Sequence, residues 1–114
     1  MEWDSAITLA FAAEQLFAAA QLLTSDLVPW NRGLRLAYEQ HLVPLLENDT
    51  LLPDEIRDRL LEAHRSYVGA RSRGLNLDFS QQLAAQLMTI LGEITTIMRR
   101  VPGPSLLNLD QRAA

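Results

Sequence analysis

Residues 81–101 read QQLAAQLMTILGEITTIMRRV and have the cleanest helical period in the chain. The spacing between their apolar side chains alternates between four and three residues. The apolar positions are Leu83, Leu87, Ile90, Ile94, Ile97 and Val101. A repeat of this kind is the pattern that a seam between packed helices requires. The stretch therefore predicts an amphipathic helix with one face in a core.

Three earlier segments, at about 4–24, 29–47 and 53–73, carry comparable apolar stripes. In chain order these are Leu9, Ala13, Leu16, Phe17, Ala20 and Leu23; Trp30, Leu34, Tyr38, His41, Leu42 and Leu45; and Ile56, Leu60, Ala63, Tyr67 and Ala70. No sustained alternation of the kind that marks a strand occurs. Four helices of about 20 residues with short connections predict an all-α fold, an antiparallel up-down four-helix bundle.

Prolines, glycines and polar residues predict where these helices begin and end. Pro44 lies inside the second helical pattern, so we expect that helix to be kinked or split near 41–43. Gly74 can take a left-handed position after the third helix. Asp78 and Gln81 predict a capping box at the start of the fourth.

The length of 114 residues allows one domain with a single core. We predict a helical bundle over residues 1–101 and a flexible C-terminal tail over 102–114, because Pro102 and Pro104 end the last helix. The chain has no cysteine, and no secretory signal is recognisable. Glu14 and Gln15 interrupt the apolar first helix, so we expect no membrane span and a cytoplasmic protein.

The first helix has a second apolar stripe, nearly opposite the first. It consists of Trp3, Ile7, Phe11, Ala18 and Leu22, with Glu14 beside it. One core can take only one stripe, so the second predicts a contact with another chain, in which an arginine of the partner would neutralise Glu14. The sequence therefore predicts a small non-enzymatic interaction protein of a bacterial or phage type: a homodimer, adaptor, regulator or inhibitor.

Charge is unevenly distributed along the chain. Residues 1–56 hold nine acids and two arginines, a net charge of −7, whereas residues 57–114 hold five acids and eight arginines, a net charge of +3. In an up-down bundle one end collects Arg32, Arg35, Arg71 and Arg73, which predicts an anion-binding alternative at that end. Nucleic acid is not the expected general partner, because the whole chain carries a net charge of −4.

The two histidines, His41 and His64, each follow a glutamate by two residues. A carboxylate–histidine metal site in a bundle needs a histidine three positions after the glutamate, as in Glu-x-x-His, so that both ligands share one face of the helix. We therefore expect neither a metal nor any other cofactor. The histidines are instead predicted to be partly buried and hydrogen-bonded.

Arg59 and His64 form an Arg-x4-His string, and Arg35 and His41 form an Arg-x5-His string. This spacing resembles the motif of the HEPN family of small helical-bundle ribonucleases, which pair two protomers around such residues. That family usually has a polar residue directly after the arginine, where this chain has Leu60 and Leu36. The resemblance implies an alternative function, RNA cleavage by Arg59 and His64. RNA cleavage is the alternative to our main expectation, which is that the protein is not an enzyme.

Overall fold

The computed structural model describes the backbone of residues 3–47 and 52–100, and the side chains from residue 7 onward. This part of the chain is entirely helical, with no strand. Its helices are α1 (Trp3–Thr24), α2 (Trp30–Leu36), α3 (Val43–Glu47), α4 (Asp54–Arg73) and α5 (Leu77–Arg100). A π-helical segment, Ala37–Leu42, joins α2 to α3, so residues 30–47 form one continuous second helix. The prediction of an all-α chain with four helices is confirmed.

The π-helical segment ends just before Pro44, which is where the sequence predicted a kink or a split. Proline has no backbone N–H and clashes with the preceding turn of an α-helix. A wider helical turn ahead of the ring is one way for the chain to accommodate it. A bend of the helix axis at this point remains a prediction.

The four helices surround one core made of their predicted stripes. Fully buried side chains come from every helix, among them Leu9, Leu16, Leu34, Leu60, Leu87 and Ile94. α1 packs against α5 and against the second helix, and α5 also packs against α4. The second helix meets α4 through α3 and through the ring of Tyr38. α2 also packs against α5, so α5 contacts each of the other three helices.

Two helix ends show why the chain turns where it does. Gly74 follows α4 with φ 102°, a backbone conformation that favours glycine. Asn76 caps α5, because its Oδ1 accepts a hydrogen bond of 2.8 Å from the backbone N–H of Phe79. The predicted capping box at Asp78 and Gln81 is therefore wrong, since Asp78 already lies inside the first turn of α5.

The predicted stripe of α1 also needs one correction. Phe17 was placed in the core, but its side chain is 51% exposed. Ala12 and Ala19 are fully buried instead, so the core side of α1 holds as many buried alanines as buried leucines. The predicted tail at 102–114 lies outside the described residues.

Candidate functional site: an apolar helix face and an arginine cleft

The outward face of α1 carries large apolar side chains that the described part of the protein leaves in solvent. Ile7 is 62% exposed, Phe11 43% and Phe17 51%. Glu14, between them, is also exposed. At about 100° per residue, these four positions fall within one third of the helix circumference, opposite buried Leu9 and Leu16. We call Ile7, Phe11, Glu14 and Phe17 the α1 face.

The other residues predicted for partner binding are placed differently. Ala18 is half-buried at the edge of the α1 face. Leu22 is also half-buried and packs against the core of its own chain, on the side of α1 that meets α2. The side chain of Trp3 lies outside the described residues. Sequence reasoning missed Phe17, although its spacing of three residues from Glu14 makes it a neighbour of that residue on the helix surface.

Three of the four arginines predicted at one end of the bundle line a common cleft. Arg32, Arg35 and Arg71 surround an open space of about 450 Å³, together with Asn31, Glu39, Tyr67 and Leu75. None of these three arginines forms an ion pair with any residue that the structure describes. Arg73 is not part of the lining. Its guanidinium lies along α4, with Nη1 3.3 Å from where a β-carbon on Gly69 would stand.

A stack of aromatic rings supports this cleft from inside. The rings of Tyr38 and Tyr67 are 3.9 Å apart at an angle of 13°, and the guanidinium of Arg71 lies 5.8 Å from the centre of the Tyr67 ring. The hydroxyl of Tyr38 is 2.7 Å from Nδ1 of His64, within hydrogen-bond distance. Burial raises the pKa of Tyr38, an effect that Arg71 opposes and Tyr67 reinforces. The stack therefore links α4 to the π-helical segment through side chains 26 to 29 residues apart in sequence.

His41 is held on the opposite side of the π-helical segment, against α1. Its Nδ1 lies 2.6 Å from Oε1 of Gln15. An amide oxygen only accepts, so Nδ1 carries the proton and donates it. Burial lowers the pKa of His41, which favours the neutral ring. His41 thus acts as a polar link between two helices.

The two arginine–histidine strings are not brought together by the fold. Nε of Arg59 lies 2.6 Å from Oε2 of Glu93 on α5, whereas His64 contacts Tyr38 of the second helix. Arg35 lines the arginine cleft and His41 meets α1. In each string the arginine and the histidine have different partners. RNA cleavage by Arg59 and His64 remains a hypothesis.

Two other properties bear on binding. No group of three or more His, Asp or Glu side chains that could hold a metal ion occurs among the described residues. The stretch Ile7–Thr24 of α1 is long and apolar enough to cross a membrane by length and composition, and a third of it is buried inside the protein. A mostly buried core helix of a soluble protein and a signal sequence near an N-terminus also meet these criteria of length and composition, so this is weak evidence of a span.

Comparison with known proteins gives no relative from which a function could be carried over. No protein-family model, no curated protein and no solved structure matches the chain. A function for this protein therefore has to be argued from its own side chains.

Proposed function

We propose that this protein is a small, non-enzymatic interaction protein that binds another protein chain through the α1 face, and that the first such chain is a second copy of itself. One observation carries the proposal: Ile7, Phe11 and Phe17 lie on one side of one helix and are each more than 40% exposed. Scattered apolar side chains are normal on a protein surface, but a row on one helix face is typical of a docking surface.

The energetics favour covering this face. Burying a phenylalanine side chain is worth about 1.5–3 kcal/mol, so two phenylalanines and an isoleucine supply several kcal/mol toward association. A symmetric pair of copies would place the same helix face on both sides of the contact and double that contribution. The single carboxylate of Glu14 would then need a cation or water at the rim of the contact.

The surrounding fold supports this role. We propose the antiparallel up-down arrangement for the four helices, which is supported by the packing of α1 against both α5 and the second helix. In that arrangement α1 has its core side fully packed and presents its opposite side as a rigid ridge. A cytoplasmic regulator, inhibitor or scaffold would bind its partner through this exposed side of α1.

The proposal is tested by the mass of the protein in solution. In sedimentation equilibrium, the apparent mass of the wild-type protein should exceed the monomer mass of 12.8 kDa and should approach twice that value as the protein concentration rises. Phe11→Asp should raise the dissociation constant by at least about 30-fold, because it removes roughly 2 kcal/mol of apolar burial. Circular dichroism should show an unchanged helical spectrum.

Leu27→Asp is the matched control. Leu27 is 95% exposed, lies in the connection between α1 and α2, and is not on the α1 face. It should leave the solution mass at the wild-type value. A wild-type monomer at every soluble concentration would overturn self-association, and a dimer that survives Phe11→Asp would show that another surface mediates it.

A further inference from the structure

We propose that the cleft formed by Arg32, Arg35 and Arg71 binds the phosphate group of a phosphorylated small molecule. This site lies on the second helix and α4, away from the α1 face, and does not depend on the function proposed above. The cleft has a volume of about 450 Å³, which is within the usual range for small-molecule sites.

The charge of the cleft fits a doubly charged anion. Its lining holds three guanidinium groups and one carboxylate, Glu39, a formal net charge of +2. Within the described parts of the chain the ion pairs are Arg57–Asp54 and Arg59–Glu93, so none of the three arginines of the cleft is ion-paired there. Like charges held together repel one another, and an anion between them removes that repulsion. A phosphate monoester carries a charge between about −1.5 and −2 at pH 7.

One of the three arginines, Arg71, is also positioned before any ligand arrives. Arg32 and Arg35 are three residues apart on the second helix and therefore share a face. Arg71 lies over the ring of Tyr67, which is only 3% exposed and is stacked on Tyr38. A guanidinium held in place loses less conformational entropy when it binds, and its planar fork can donate two hydrogen bonds to one phosphate.

The remaining lining favours an organic phosphate over a long polyanion. Leu75 and the edge of Tyr67 give the cleft an apolar side, against which the carbon skeleton of a ligand can pack. The protein as a whole carries a net charge of −4, which does not favour binding of a long polyanion. A compact ligand with one phosphate group meets only the cleft.

The test is titration of the purified protein with inorganic phosphate and with phenyl phosphate at fixed ionic strength, followed by calorimetry and by NMR shifts. Wild-type protein should bind both saturably, and phenyl phosphate more tightly. Arg71→Gln and Arg35→Gln should each weaken binding at least tenfold. Arg71→Lys keeps the charge but loses the fork, so it should bind with intermediate affinity. Because two different arginines of the cleft are substituted, one variant that fails to fold does not prevent the test. Circular dichroism shows whether each variant folds.

Arg73→Gln is the matched control, because it removes the same charge from the same end of the protein without touching the cleft. It should change the affinity by less than twofold. Binding should also weaken as the pH falls below about 6, where phosphate monoesters take up a proton, whereas binding of sulfate should not. Equal losses of phosphate affinity in Arg71→Gln and Arg73→Gln would show that the anion is attracted only by the general positive charge at this end of the protein. That result would overturn the proposed site. Binding of RNA without binding of either phosphate probe would overturn it as well.

Discussion

The backbone carbonyl oxygen of Leu22 lies so close to Gly33 that a β-carbon on Gly33 would stand 2.5 Å from it. Gly33 is buried, and this close approach joins the end of α1 to the start of the second helix. The neighbouring atom is backbone and cannot rotate away. Only glycine therefore allows the two helices to lie this close together.

Gly33→Ala should lower the free energy of unfolding by about 1–2 kcal/mol. Overpacking costs about 1–3 kcal/mol, and the better helix propensity of alanine returns up to about 1 kcal/mol. Gly92→Ala on α5 is the matched control, since a β-carbon there meets nothing within 4 Å. It should raise stability by about 0.5–1 kcal/mol. Urea denaturation of both variants measures the difference, and equal stabilities would contradict the close contact.

Ser80 is fully buried in the first turn of α5, and its hydroxyl has no hydrogen-bond partner among the residues that the structure describes. A buried polar group without a partner costs about 1–3 kcal/mol, and alanine is also the better helix former. Ser80→Ala should therefore raise the free energy of unfolding by about 1 kcal/mol or more, measured by thermal and urea unfolding. A loss of stability would mean that the hydroxyl is satisfied in solution, by water for example.

How far the sequence predicted the fold differs from helix to helix. In α4 the stripe from Ile56 to Ala70 is buried at every position, because a helix with many charges leaves only one arrangement for its apolar residues. α1 has too few charges to mark its outer side, so periodicity alone placed Phe17 wrongly. Asn76 was missed because Asp78 offered an equally good capping pattern two residues later.

The candidate site was predicted only in part, for a related reason. The arginines at one end follow from helix length and direction, and three of the four do line one cleft. Helix geometry does not fix the direction of a long side chain, so Arg73 could not be separated from the others. The stack of Tyr38 on Tyr67 joins two helices 29 residues apart, and only tertiary packing determines it. Its one sequence signal is that both tyrosines lie on predicted core stripes.

The hydroxyl of Tyr38 should contribute to stability through His64 alone. Tyr38→Phe keeps the ring stack and removes the 2.7 Å contact with Nδ1, so we expect a loss of about 1 kcal/mol. Tyr67→Phe is the control, because no hydrogen bond of its hydroxyl occurs within the described residues; it should cost less than about 0.5 kcal/mol. Denaturation measures both losses, and NMR of the ring nitrogens of His64 should change only in Tyr38→Phe. Equal losses would place the effect in the stack instead of the hydrogen bond.

His41 should make the protein less stable in mild acid. Its pKa in the folded protein is lowered from the ordinary value of 6.5 because burial disfavours the charged ring. Below that ordinary value the unfolded chain takes up the proton more readily than the folded one, so stability falls as the pH drops from 7.5 through 6.5 toward the lowered pKa. His41→Gln does not titrate, and its amide N–H can still donate to Gln15. The stability advantage of the wild type over His41→Gln should therefore shrink steadily between pH 7.5 and pH 5, as measured by urea denaturation at a series of pH values. An advantage that stayed constant or grew would mean that His41 is protonated as easily in the folded protein as in the unfolded chain, and that its contact with Gln15 survives with a charged ring.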